Sequence, residues 1–147
     1  MDTNAVIIRE MENRDFISVA TVWRNTLGDL PMTDEAVIQI LEKMGDDRRY
    51  CTFVADVGSK VVGWVTTVES LAINLPNGYI KVNGLAVLPE FQHCGIGKML
   101  MEQVEKSAKE RGNALVELAS GFQRTGAHEF YEHLGYQKFA FRFSKRV

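Results

Sequence analysis

Apolar positions recur at two different periods along the chain, and the changes of period lay out its elements. Val6-Ile7-Ile8-Arg9 is a short apolar run of strand character. Phe16, Val19, Ala20 and Trp23 then recur at three- and four-residue spacing. That predicts a helix over about 14–25, capped by Asn13 and stopped by Gly28 and Pro31. Thr33 caps a second helix, with Asp34 and Glu35 at its positive end, a stripe of Val37, Ile40, Leu41 and Met44, and Gly45 at its close. Cys51–Val57 and Lys60 to about Leu71 are rich in strand formers and flank Gly58-Ser59, a two-residue hairpin signal. Pro76-Asn77-Gly78 predicts another turn, followed by a strand over Tyr79–Leu88 that Pro89 ends.

The second half alternates helix and strand. Leu100, Met101, Val104 and Ala108 line one side of a helix over Lys98–Arg111, with Glu102 and Lys106 spaced to pair and Gly112 as its stop. Ala114–Ala119 is a short buried-type strand, and Arg124–Leu134 is a helix ended by Gly135. Phe139, Phe141 and Phe143 alternate as in a final half-buried strand. The order is strand, two helices, three strands, helix, strand, helix, strand. It predicts an α/β (α+β) fold, a mixed and mostly antiparallel sheet with helices on both faces. The unit from Tyr79 to Ala119 is expected as a right-handed parallel crossover. No repeat or linker divides residues 1–147, so a single domain is expected.

Composition narrows the chemistry. A net charge of −2 argues against nucleic-acid binding through a broad basic surface; Arg142, Lys145 and Arg146 read as a solvated end. Cys51 and Cys94 are too few for a disulfide scaffold or a metal cluster, so no metal is expected. The first ten residues carry Asp2, Arg9 and Glu10, unlike a signal peptide, and no apolar run reaches the roughly 18 residues of a spanning helix. The expectation is a cytoplasmic protein with no membrane partner.

The chemistry-bearing segment is Gln92-His93-Cys94-Gly95-Ile96-Gly97-Lys98, which joins a strand to a helix. Glycines there let backbone N–H groups converge, the helix start adds unpaired donors and a positive dipole end, and Lys98 adds a cation. The result is a phosphate cradle that needs no metal. It is neither a Walker A loop nor G-x-G-x-x-G. Two glycines alone are more simply a plain strand–helix turn.

The wider pattern decides between those readings. Leu85-Ala86-Val87-x-Pro89 followed by Gln92-x-x-Gly95-x-Gly97 resembles motif A of the GNAT N-acetyltransferase superfamily. Arg124-x-x-Ala127-His128-Glu129-Phe130-Tyr131-Glu132-x-x-Gly135-Tyr136 resembles its motif B. The element order resembles the family's over nearly the whole chain. The resemblance implies the family's fold, with the fourth and fifth strands parallel and splayed, and acetyl-CoA as donor. It implies that Leu85, Ala86 and Val87 pair their backbone with the pantetheine arm and that N–H groups from His93 to Lys98 hold the pyrophosphate. Ala127 and Phe130 then lie near the pantetheine and adenine. Arg124 stands where the family often has Asn, and either reaches the cofactor phosphates or is a surface residue. Cys94 reads as a loop position, since the family transfers the acetyl group directly.

Two steps of that chemistry need side chains. The coenzyme leaves as a thiolate, and a phenol of pKa near 10 can donate to a thiolate whose acid has a pKa near 8.5. The resemblance gives this role to Tyr131; otherwise Tyr131 is a packing residue. The attacking amine must first lose a proton, and many family members carry a carboxylate in the fourth strand, where this chain has Lys81-Val82-Asn83-Gly84. Glu117 is the first substitute base, because an unpaired carboxylate in Leu115-Val116-Glu117-Leu118-Ala119 is costly; otherwise it is an outward-facing or salt-bridged strand residue. Glu69 is a weaker candidate, Asn83 a residue that positions water or the amine, and His128 a solvent-facing or capping residue.

The ending resembles a bacterial subgroup that includes aminoalkylphosphonate acetyltransferases. Its implied acceptor elements are Trp23–Lys43, with Asp29, Asp34 and Glu35, and Ser70–Gly78. The expected function is acetyl transfer to a primary amine, a small molecule being favoured. A protein or peptide acceptor, or a non-catalytic acyl-CoA-binding module, is the alternative. A homodimer stays open, the alternating Phe strand being able to pair across one.

Overall fold

The computed structural model describes residues 5–28 and 31–147. Two compact units divide it, residues 1–117 and residues 118–147. In the first unit β1 (Val6–Glu10) leads into a 3₁₀ turn and α1 (Phe16–Arg24), then α2 (Asp34–Gly45). Strands β2 (Tyr50–Val57), β3 (Lys60–Ala72) and β4 (Leu75–Val87) follow, then α3 (Ile96–Arg111) and β5 (Val116–Leu118). The sheet order is β1-β2-β3-β4-β5, antiparallel as far as β4 and parallel between β4 and β5. The expected mixed sheet with its parallel fourth and fifth strands is therefore present.

Alternation along the strands assigns the two faces. A Cβ built on Gly63 would lie 3.5 Å from Leu100 Cδ1, so Gly63 and its partner Val87 face α3. Trp64, Val54 and Arg9 lie in line across β3, β2 and β1 on the opposite face. There Arg9 binds Asp15 at the head of α1, with Nη1–Oδ2 at 2.7 Å and Nη2–Oδ1 at 3.0 Å. Helices thus cover both faces, as the pattern predicts. Ile96, Leu100, Met101 and Val104 of α3 and Val22 of α1 are almost fully buried, as are Val54, Val62 and Val65 of the sheet. This is the apolar contact that makes the elements hold.

Several boundaries differ from expectation. Asn13 does not cap α1. Glu12 precedes the turn, and its N–H donates to Asp15 Oδ2 at 2.8 Å, because an aspartate three residues on reaches back as in a capping box. Thr33 caps α2 as expected, its Oγ1 accepting from the Ala36 N–H at 3.1 Å. Gly58 and Ser59 have φ of +56° and +69° and close the expected hairpin. Pro76-Asn77-Gly78 is not the next turn. Ala72 pairs with Leu75 and Ser70 with Tyr79, so these residues form a bulge inside β4, which suits a proline that has no N–H to donate.

In the second unit α4 (Thr125–His133) is closed by Gly135 at φ +93° and by a Tyr136 N–H bond to the Tyr131 carbonyl. Phe139, Phe141 and Phe143 are not in a strand. They are 84%, 78% and 92% exposed, and a strand needs a ladder partner that α4 cannot supply. Among the described residues no helix is long and apolar enough to cross a membrane.

Candidate active site

The loop after β4 leaves a run of backbone donors unanswered. Leu88 N–H bonds to the Val62 carbonyl at 2.8 Å, and Pro89–Phe91 forms a 3₁₀ turn. Gln92 Nε2 donates to the Val87 carbonyl at 3.0 Å, which ties the loop to the strand end. Residues 93–98 then show no backbone N–H bonded within the chain among the described residues; the next bond is Met99 N–H to the Gly95 carbonyl at 3.0 Å. His93 at φ +60° and Gly95 at φ +83° turn the chain through left-handed conformations there. Gly95 occupies the N-cap with no side chain to consume a donor. Ile96 is 1% exposed and anchors the loop, so it offers its backbone rather than its side chain. His93 is exposed and half-buried Cys94 donates its thiol to the Gln92 carbonyl at 3.4 Å. Lys98 Nζ lies 3.9 Å from Glu102, so Glu102 partners Lys98 and not the expected Lys106. The arrangement fits a diphosphate: clustered N–H donors, a helix dipole and a cation at one point.

A free strand edge leads to that loop. Leu85, Ala86 and Val87 pair on one side with Val65, Trp64 and Gly63 of β3. On the other side β4 meets β5, where Ala114 N–H bonds to the Gly78 carbonyl and Ile80 N–H to the Leu115 carbonyl, both at 3.0 Å. Counting on from the second bond, Val116 is level with Ile80 and Glu117 with Lys81. β5 ends at Leu118, so it has stopped before Leu85 is reached. Apart from the Val87 carbonyl, which Gln92 takes, the Leu85–Val87 edge is left with ladder groups for an extended amide-bearing ligand.

Asn83 sits at a break in the ladder. Thr66 pairs with Gly84 and Thr67 with Val82, so Asn83 is bulged out of register and exposed. Gly84 is required by contact: a Cβ there would stand 2.9 Å from Trp64 Cζ3 and 3.0 Å from Cη2. The indole is 7% exposed and its Nε1 has no acceptor among the described residues, so it has little room to yield.

The two candidate carboxylates are treated differently. Glu69 Oε2 accepts from Asn113 Nδ2 at 2.8 Å, and Arg111 lies 3.9 Å from its Oε1. Glu117 is half-buried, and no hydrogen bond or ion pair reaches it among the described residues. Of the acids near the first helices, Asp34 pairs with Arg24, Glu35 is exposed, and Asp29 lies outside the described residues.

In the second unit Tyr131 is half-buried in an aromatic group, its ring 5.1 Å from Phe130 and 6.0 Å from Tyr136, both edge-on. Burial pushes the phenol above its ordinary value near 10, and Arg124 pulls partly the other way. It therefore remains protonated at neutral pH, the state a proton donor needs. Arg124 is exposed at the head of α4, and Ala127 and Phe130 are half-buried on it. His128 Nε2 lies 2.8 Å from the Gly121 carbonyl, a local tie rather than a free base.

Sequence reasoning did not single out Lys81. It is half-buried and level with Glu117, but the Asn83 bulge interrupts the alternation from which its face would be read.

Residues 8–136 match the family model of the acetyltransferase (GNAT) family. An uncharacterized N-acetyltransferase of Methanocaldococcus jannaschii is 34% identical over 87 residues, 58% of this chain and 38% of that protein. The aminoalkylphosphonate N-acetyltransferase of Salmonella typhimurium is 33% identical over 88 residues, 60% of this chain and 57% of that protein. The matches thus take in well under two thirds of either relative's length. Among solved structures, a transcriptional regulator from Bacillus halodurans superposes with a TM-score of 0.86 at 23% identity, over 97% of this chain and 99% of that one. An aminoglycoside N-acetyltransferase in complex with CoA gives 0.85 at 16% identity, over 97% and 94%. At those identities the likeness is one of fold.

Proposed function

The chain belongs to the acetyltransferase (GNAT) family, and from that premise we propose that it moves an acetyl group from acetyl-CoA to the primary amine of a small molecule by direct attack. The observation that carries this reading is the run of unanswered N–H groups over residues 93–98 at the end of a half-free strand. Acetyl-CoA supplies the activated thioester.

The residues divide the work as follows. The Leu85–Val87 edge takes the pantetheine amides. Gln92 to Lys98 hold the diphosphate, with Gly95 and Gly97 keeping the donors clear and Lys98 adding charge. Arg124, Ala127 and Phe130 contact the rest of the coenzyme. Glu117, directly or through water, takes the proton that an amine of pKa near 10.4 must lose before attack. Asn83 positions that water or the amine. The new N–C bond forms as the C–S bond breaks; Tyr131 gives its proton to the departing sulfur and regains one from the nitrogen, which sheds its second proton as the amide forms. The names of the relatives, which act on aminoalkylphosphonates and aminoglycosides, support a small acceptor over a protein.

The test is thiol release from acetyl-CoA with a panel of small amines and peptides. Release with small amines supports the reading. The neutral Asn83 favours a second one, a module that binds acyl-CoA without turnover. Tight donor binding with no release on any acceptor would establish that module instead.

A further inference from the structure

We propose that the acceptor is a small amine that also carries an anionic group, and that Lys81 selects it; this rests on the acetyltransferase reading. Gly84 lies under Trp64, on the face away from α3. Past the bulge, Ile80 pairs with Glu69, and Glu69 reaches Asn113 and Arg111 at the end of α3. Ile80 and Glu69 therefore face α3. Lys81, paired with Val68, points the other way, to the face of Gly84 and Trp64. Glu117 is level with Lys81 on the adjacent parallel strand, so both side chains rise from the same face, about 5 Å apart at the backbone.

Both are half-buried, and among the described residues neither has an ion-pair partner. Several other charges of this unit are committed: Arg9 to Asp15 and Asp56, Arg24 to Asp34, Glu69 to Asn113 and Arg111. A carboxylate and an ammonium thus stand side by side where β5 stops and the free edge of β4 begins. Glu117 suits an incoming ammonium. Lys81 suits a carboxylate, phosphate or phosphonate on the same molecule. A polycationic acceptor would bring a like charge to Lys81, which selects against it.

The experiment compares kcat/KM for 3-aminopropylphosphonate, 4-aminobutanoate, butylamine and 1,4-diaminobutane in the native chain, Lys81→Met and Lys81→Glu. The native chain should prefer the two anion-bearing amines, and the better of them identifies the anion. Lys81→Met should lower the ratio of anion-bearing to neutral acceptor at least about tenfold, chiefly through KM, and Lys81→Glu should turn the preference toward the diamine. An equal loss on every acceptor would mean that Lys81 only pairs with Glu117, and would overturn the proposal. So would a native preference for the diamine. Turnover with an unchanged ratio removes this inference alone. Failure to bind or turn over acetyl-CoA removes the acetyltransferase reading, and this inference with it.

Discussion

The two ends of α3 share a glycine at positive φ and otherwise differ in nearly every respect. At the C-terminal end, Gly112 N–H bonds to the Lys109 carbonyl and Asn113 N–H to the Ala108 carbonyl. Asn113 Nδ2 also donates to Glu69 and to the Asn77 carbonyl, both at 2.8 Å. Asn113 Oδ1 is the exception, buried without a partner among the described residues. At the N-terminal end, residues 93–98 keep their N–H groups unused among the described residues, and the Leu85–Val87 edge leading there is open but for the Val87 carbonyl. The first region ties helix to sheet. The second leaves undone what a ligand can complete, and so is the less stable by construction. Glu69 belongs to the first kind and Glu117 to the second.

The largest effect expected from that contrast is on the two carboxylates. Glu117→Gln should lower kcat by about 10²–10⁴-fold while thermal stability stays near the native value. Glu69→Gln should keep turnover within a few fold and cost about 1 kcal/mol in a denaturant titration, since it weakens bonds to Asn113 and Arg111. Turnover lost in Glu69→Gln and kept in Glu117→Gln would reverse the assignment.

Tyr131→Phe comes next, with kcat reduced about 10²-fold and affinity for acetyl-CoA held. The ring contacts at 5.1 Å and 6.0 Å do not involve the hydroxyl, so folding should change little. Because burial raises the phenol, its ionisation should leave the native rate untouched until above pH 10. A basic limb attributable to Tyr131 at pH 8 or 9 would contradict the donor role.

Much of this contrast was legible in the residues. Thr33, the apolar stripe of α3 and the glycines at 95, 112 and 135 act through local chemistry, and local chemistry is what a sequence displays. The misreadings lie where pairing outside the local motif decides. Pro76-Asn77-Gly78 has turn composition, yet pairing of Ala72 with Leu75 places the turn earlier. Asn13 is a good cap residue, but Arg9 holds Asp15 where it serves the Glu12 N–H instead. Phe139, Phe141 and Phe143 alternate like a strand, but alternation supplies no ladder. Motif A points to the donor loop; that Glu69 is occupied and Glu117 is not depends on Asn113, 44 residues from Glu69.

Asp15→Asn extends the contrast to the answered side, with an expected loss of about 2–3 kcal/mol in urea at neutral pH. Hydrogen bonds from Arg9, and then the Glu12 N–H, hold the Asp15 carboxyl below its ordinary value of 3.8. A lowered pKa contributes stability that is complete above the unfolded value and is lost as pH falls through the folded one. The native chain should therefore weaken below about pH 4, and Asp15→Asn should show less of that slope. Equal slopes would place the acid sensitivity elsewhere.

The smallest effect gives the cleanest comparison. At Gly95 and at Gly112 nothing lies within 4 Å of an added Cβ, so Gly95→Ala and Gly112→Ala meet no steric clash. Both sit at positive φ, +83° and +75°, and each alanine should cost about 1–2 kcal/mol of stability for the same left-handed strain. Relief of that strain differs in consequence. At Gly112 the backbone can shift only against a cap whose bonds are internal, so the affinity for CoA should hold. At Gly95 any shift re-aims the free N–H groups beside it, and CoA should bind about tenfold more weakly, about 1.4 kcal/mol. Calorimetric titration with CoA alongside urea denaturation of both variants separates the two terms. Matched stability losses with unequal affinities would show that the unanswered end of α3 binds and the answered end only holds. Equal affinities would remove the diphosphate from residues 93–98.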